Sequence, residues 1–382
     1  MIIPPSDDFL LDPEVIFLNH GSFGATPRPV FDSYQAWQRE LERQPVEFLG
    51  RRAGELMHGS REALGSYLGT QTDNLVYVTN ATTGLNIVAR SLRLGPGDEV
   101  LASDHEYGAL DRTWRFLARQ NGFRYHNQPL TTPIRGAESY IEEFWSGVTP
   151  ATRVIFLSHI TSPTAIIFPV QAICRRAREA GILTVIDGAH APGQIPLALD
   201  DLGADIYSGN LHKWLCAPKG SAFLYARSEV QHRIQPLVVS WGWESESPCR
   251  SRFIDEQEWT GTRDLAPFLA VPAAIRYQQQ YDWQQVRARC HAILQDALWR
   301  ISQRYDLPLL HPDTPQWYAQ MGTAQLPPQT DITALKVRLY DDYRIEVPLI
   351  EWNGHKLVRV SIQAYNTPAH VDRLLEALEA LI

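Results

Sequence analysis

Between about residues 75 and 207, short apolar runs alternate with stretches of helical periodicity, and this alternation restricts the fold more than any other feature. The runs are LVYVT (75–79), EVLAS (99–103), RVIFLS (153–158), LTVID (183–187) and ADIY (204–207). Between them, residues 83–94, 107–121 and 170–180 set apolar side chains at three- and four-residue steps. Strands that alternate with helices pair in parallel, and the crossover helices cover both faces of the sheet. The expected class is therefore α/β, with a large domain built on a mostly parallel sheet.

After Trp259 the pattern changes. Residues 267–305 read as one long helical stretch that leads, through a proline-rich connection, into a second α+β segment. That segment holds a strand at 323–326, a helix from Asp331, a strand KLVRVSI (356–362) and an amphipathic helix over 368–381. The expectation is a large domain over 16–265, a smaller C-terminal α+β domain over 266–382, and a segment 1–15 that packs near the small domain. A chain of 382 residues with 44% hydrophobic content can bury both cores.

Charge and termini narrow the partners. The net charge of −8 is dispersed and no basic run occurs, which argues against nucleic acid or an anionic membrane. The N-terminus, MIIPPSDDFLLDP, carries acids where a secretory signal needs basic residues, and no apolar run approaches the roughly 18 residues of a spanning helix. A cytoplasmic protein with a small partner is expected. Cys174, Cys216, Cys249 and Cys290 show no CxxC spacing, and the twelve histidines include no HExxH, so neither disulfides nor a metal site is expected.

In a sheet of this class, ligands gather at the carboxyl ends of the strands. The first run ends in TNATTG (79–84), where a helix starts at once. Hydroxyls and free N–H groups at a helix N-terminus make an anion site, although N-capping by Thr82 or Thr83 accounts for the same residues. The run at 183–187 ends in Asp187, a carboxylate that burial destabilises unless a cation faces it, or else a plain turn cap. Lys213 follows the next run, 26 residues after Asp187, so adjacent strands bring both to one crevice. Anion cradle, carboxylate and lysine are the parts that hold pyridoxal 5′-phosphate: phosphate in the cradle, ring nitrogen on Asp187, aldehyde on Lys213.

NHGSFG (19–24), NATTG (80–84), DHEYG (104–108), DGAHAPG (187–193), SGNLHKWLCAPKG (208–220), WTGT (259–262) and RVS (359–361) extend the pattern over most of the chain. With these segments it resembles the class V aminotransferase-like branch of the fold-type I pyridoxal-phosphate enzymes, and within it the isopenicillin N epimerase-like group. The resemblance implies a seven-stranded, mostly parallel sheet and a homodimer. It also implies that Lys213 carries the cofactor covalently and that Asp187 pairs with the ring nitrogen. His190 matches a donor to the phenolic oxygen, while Thr83, Ser208 and His212 match phosphate contacts, with the amides of Ala81 and Thr82 alongside. Tyr107 or His105 stacks on the ring in this reading, Tyr107 being preferred for its spacing to Trp114. Thr262 resembles a residue that reaches the phosphate of the neighbouring subunit. Asn19, His20 and Ser162 fall where the family meets substrate, and Arg359 matches the arginine that grips the substrate α-carboxylate, a task that suits a planar guanidinium.

Two departures bear on the reaction. Ser162 stands where cysteine-desulfurase relatives have an asparagine, and the loop at 344–355 contains no cysteine to take up sulfur. Cys216, three residues past the lysine, reads as a packed thiol. Epimerisation through a Cα carbanion of an amino acid or amino-acid-like substrate is the expected activity, with β-elimination of sulfur or selenium as the alternative and transamination third. A nucleotide-dependent oxidoreductase would need GxGxxG at the first βα turn, and none occurs. A non-catalytic scaffold is disfavoured because Lys213, Asp187 and Arg359 are all present.

Overall fold

The computed structural model describes residues 4–249 and 251–382. After a short strand β1 (Ile16–Phe17), seven strands build the central sheet: β2 (Leu75–Val78), β3 (Glu99–Ser103), β4 (Arg124–Gln128), β5 (Thr152–Ser158), β6 (Leu183–Asp187), β7 (Ile206–Asn210) and β8 (Ala222–Ala226). Their order is β2-β8-β7-β6-β5-β3-β4, and every neighbouring pair is parallel except those made by β8. This is the mostly parallel seven-stranded sheet that the resemblance implied.

Consecutive residues of a strand face opposite ways, and here each face enters its own core. Leu75, Tyr77, Ile155, Leu157, Ile186 and Tyr207 join the larger core, whereas Val76, Val78, Val154, Phe156, Val185 and Ile206 join the smaller. Burial on both faces produces the continuous apolar runs that mark these strands in the sequence. β4, RYHNQ, lacks such a run because at its edge of the sheet it is only partly covered, whereas β2 at the other edge is fully buried. β7 runs from Ile206 to Asn210 rather than over 204–207. Its second half is small or polar yet wholly buried, so the apolar run marks only where it begins.

Residues 267–305 form three helices, Ala266–Leu269, Val271–Gln280 and Trp283–Tyr305, instead of one. The break before the third has a local cause: Tyr281 is extended (φ −114°, ψ 153°), and Asp282 starts a new helix by accepting the Gln285 N–H on its side chain. The first two helices pack on Arg28–Arg43 and Ala53–Leu68, the third on the small sheet. Packing therefore passes to the small unit at Trp283, later than the boundary expected near 265.

The C-terminal unit adds β9 (Met321–Leu326), β10 (Ile345–Glu346), β11 (Leu349–Trp352) and β12 (His355–Ser361). β11, β12 and β9 make an antiparallel sheet in that order, while β10 pairs in parallel with β1 from the start of the chain. Next to that pair the Leu18 carbonyl accepts the Ser361 N–H at 2.9 Å. Earlier still, Phe9 packs edge-on against Tyr365 with 4.8 Å between ring centres.

Candidate active site

The segments that follow β2, β3, β5, β6 and β7 leave the sheet at its carboxyl edge and enclose a cleft of about 140 Å³. On its floor β6 ends in Asp187, which is 3% exposed and accepts one hydrogen bond, from the Ala189 N–H at 2.9 Å. Burial pushes this carboxyl above the usual carboxylate range; the Ala189 N–H and the charge of Lys213 pull it back in part. A buried carboxylate with a single neutral donor is short of a cation.

Lys213 follows β7, and its Nζ lies 3.2 Å from His190 Nε2. Desolvation lowers its pKa and the charge of Arg359 adds to the fall, so the amine is neutral and nucleophilic at a lower pH than an ordinary lysine. His190 is held neutral by burial, and its Nδ1 has no partner among the described residues.

The NHGSFG segment supports this lysine from behind. Gly24 has φ +71°, and a Cβ there would sit 2.0 Å from the His212 carbonyl, so the close approach requires glycine. His20, expected at the substrate, is fully buried instead: Nε2 lies 3.0 Å from the Lys213 carbonyl and Nδ1 3.0 Å from the Tyr365 hydroxyl. Both ring nitrogens are occupied by the protein, which leaves neither for a ligand. Asn19 likewise stays out of the cleft, bonded to Glu346 at 2.9 Å and accepting the Ser22 hydroxyl at 2.5 Å.

The anion end is the N-terminus of the helix Ala81–Ser91. Asn80 caps it by accepting the Thr83 N–H at 2.8 Å, and the Thr83 hydroxyl lies 3.1 Å from both Thr79 Oγ1 and Asn80 Oδ1. Thr83 is therefore spent on the cap. The Ala81 N–H donates to Asn210 Oδ1 at 2.8 Å, and the Thr82 N–H has no partner among the described residues. Ser208, expected at the phosphate, is fully buried and donates to the Phe223 carbonyl at 2.8 Å. The residue on the same strand face that reaches the cleft is Asn210, two positions on. His212 lines the cleft too, with Nδ1 3.1 Å from the Ser221 carbonyl and a pKa that burial lowers to about 4.

Of the two ring-stacking candidates, Tyr107 lines the cleft and is 43% exposed. His105 is turned into the interior, 2.8 Å from Thr164 Oγ1 and 4.2 Å from the Trp352 ring centre. Arg359, on β12, is 5% exposed: Nη1 donates to the Ser162 carbonyl (2.5 Å) and hydroxyl (3.2 Å), and Nη2 to the Ser22 hydroxyl (3.1 Å). Burial lowers its pKa to about 10, and its Nε has no partner among the described residues. Ser22 and Ser162 both line the cleft, so the guanidinium stands directly behind its rim. Thr262 is exposed and does not line this cleft.

Lining residues that went unassigned in the sequence include Asn210, Ser158, Ser22 and Phe23. Phe23, 70% exposed at the cleft, and Ser22 lie inside the NHGSFG segment, which marked its neighbours but not them.

The family model described as "Aminotransferase class-V" matches residues 16–374. The chain belongs to the class V aminotransferase family. It is a pyridoxal-phosphate enzyme, and it is 39% identical to the isopenicillin N epimerase of Amycolatopsis lactamdurans across 97% of this chain and 96% of that one. A putative L-cysteine desulfhydrase 1 of Oryza sativa subsp. japonica is 28% identical, across 96% of this chain and 83% of the relative. Among solved structures, a C-DES mutant with glycine covalently linked to the PLP cofactor superposes with a TM-score of 0.85 at 22% identity, covering 99% of this chain and 100% of that one. The cleft of this family member fits the cofactor on chemical grounds: a carboxylate short of a cation, a lysine whose pKa burial lowers, and an amide at a helix N-terminus with no partner among the described residues.

Proposed function

We propose that this enzyme removes a proton from Cα of an amino acid or a small peptide-like derivative and that a solvent-derived proton is added on the opposite face, an epimerase-like reaction. The observation that carries the reading is the Lys213 amine, 3.2 Å from His190, with its pKa lowered by burial and by the charge of Arg359. The bound cofactor supplies an electron sink for the Cα carbanion. Asp187 holds its ring nitrogen protonated, the Thr82 N–H and His212 hold its phosphate, and Tyr107 covers its outer face. Arg359, steadied by Ser162 and Ser22, fixes the substrate carboxylate so that the Cα–H bond points at Lys213. The freed Lys213 Nζ takes that proton, as a neutral amine can.

β-Elimination is the second reading, supported by the desulfhydrase relative and by one feature of this chain. No cysteine lies in 344–355, and burial pushes the Cys216 thiol up to about 12, so neither offers a thiolate to accept sulfur. Any sulfur would leave as a free species. A cytoplasmic homodimer with shared sites is part of the proposal. It is supported by Trp241 and Val239, 85% and 66% exposed on a segment whose Trp241 shares a cavity with Trp259, close to Thr262 in sequence.

Proton NMR in deuterium oxide with a panel of L-amino acids and short peptides separates these outcomes. Exchange of the α-proton with appearance of the opposite epimer supports the first reading; pyruvate with sulfide moves the assignment to the lyase. If borohydride fixes the cofactor to the Lys213 peptide and yet no amine substrate exchanges its α-proton, the proposal of Cα chemistry fails.

A further inference from the structure

The carboxyl of Glu106 takes no part in the chemistry above, yet it is 8% exposed and lies one strand from the cofactor's floor. Its oxygens receive three hydrogen bonds. Ser103 Oγ donates to Oε1 at 2.5 Å, and Oε2 accepts both the Ser158 N–H at 2.9 Å and the Ser158 hydroxyl at 2.7 Å. The Ser103 hydroxyl also accepts the His105 N–H at 3.2 Å. Three converging donors suit the ionised form of a carboxyl.

Ser158 is the tip of β5, and its partner across the ladder is Asp187 at the tip of β6. The next residue, His159, donates its N–H to the Asp187 carbonyl at 2.8 Å. Glu106 and Asp187 thus flank Ser158, both buried. Burial pushes the Glu106 carboxyl up to about 8, against the pull of the Ser103 and Ser158 donors, and the charge of Asp187 adds to the rise. Among the described residues no lysine or arginine pairs with Glu106. An anion desolvated without a counter-ion is costly, and Glu106 has none among the described residues.

We propose that Glu106 is a positioning residue that ionises when the cofactor's cation is bound, sets a second negative charge behind Asp187 and, through Ser158, keeps the cofactor's ring nitrogen protonated. The inference rests on the reading of the cleft as the pyridoxal-phosphate site. It is tested by loading wild type, Glu106→Gln, Glu106→Asp and Ser158→Ala with ring-15N pyridoxal 5′-phosphate and following the nitrogen signal against pH. In Glu106→Gln the yellow colour is retained, and the pH at which the nitrogen loses its proton falls by about one unit or more. Glu106→Asp recovers much of the shift, and Ser158→Ala, which keeps the charge and the backbone bond, moves it less than Glu106→Gln.

A folded, yellow Glu106→Gln protein with a wild-type nitrogen titration overturns the proposal, as does a Ser158→Ala shift equal to that of Glu106→Gln. Should Glu106→Gln fail to fold, infrared difference spectra of the wild-type holoenzyme labelled with 13C-glutamate decide. A persistent protonated-carboxyl band would sink the idea, and its absence supports an ionised Glu106. A wild-type chain that takes up no cofactor at Lys213 overturns the reading of the cleft itself, an outcome distinct from all of these.

Discussion

Asp187 lies on the floor of the cleft, 3% exposed and with one neutral hydrogen bond, so its carboxylate gains from a cation placed beside it. Asp187→Asn keeps the shape and removes the charge. The variant is expected to bind the cofactor and lose at least about 1.5–3 kcal/mol of transition-state stabilisation, roughly a ten- to hundredfold fall in α-proton exchange. Exchange at the wild-type rate would take Asp187 out of this role. Asp187 and Lys213 were legible as neighbours because one ends a strand and the other follows the next, whereas His190, His212 and Tyr107 were implied by the family resemblance; the structure brings all five to one cleft. Ser208 and His20 are not among them. Ser208 differs from Asn210 by one pleat repeat, which a sequence shows only if the end of β7 is known, and β7 ends in buried polar residues. His20 lies next to the cleft in sequence, but its direction is set by Tyr365, which is 345 positions away. Glu106 sits inside a recognised segment, and its donor Ser158 comes from a different strand.

At the scale of elements, the site depends on how tightly β6 and β7 are packed at their tips. A Cβ on Gly188 would come within 1.9 Å of the Tyr207 ring, whose hydroxyl is 3.0 Å from His159 Nδ1. Gly188→Ala must displace either the tyrosine or the turn that carries Asp187 and His190. Overpacking of this kind costs about 1–3 kcal/mol, so a lowered melting temperature and weaker retention of cofactor are expected. Melting curves and equilibrium dialysis check both, and wild-type values in each would show that the turn has slack. The parallel strands were readable because both of their faces are apolar. Edge strand β4 was not, since a half-covered strand has no need of an apolar run. The helix break at Tyr281 escaped because its signal is one capping aspartate inside an otherwise continuous periodicity.

On the whole-molecule scale, His20, His105, His159 and His190 are all buried with lowered pKa values, desolvation being the first cause in each. The unfolded chain binds protons at these positions near pH 6.5, while the folded chain refuses them. Stability must then fall as pH drops through about 6.5, by as much as about 1.4 kcal/mol per unit for each histidine. The raised carboxyls of Asp187 and Glu106 act in the opposite sense but are outnumbered. Thermal melts of the cofactor-free protein between pH 7 and pH 5, in terms of this linkage, are expected to show a steep decline; a flat profile would mean that these histidines are protonated in the fold. The proposed dimer has its own test. A Lys213→Ala chain mixed with a Thr262→Ala chain is expected to regain activity, because one site of each mixed pair collects both lesions and the other is intact. No recovery from fully mixed chains would place Thr262 in its own subunit's site.

The pairing of β1 with β10, and the contacts of His20 with Tyr365 and of Ser22 with Arg359, join the two ends of the chain beside Lys213. During synthesis, the residues that back Lys213 from the N-terminal side leave the ribosome early and wait for almost the whole message to be read before their partners exist. A nascent chain can complete its central sheet long before that. A product that stops short of Arg359 therefore owns a sheet, a lysine and an aspartate, yet lacks the brace behind the lysine and, on the proposed reading, the grip on a carboxylate, so chemistry would wait until translation is nearly finished.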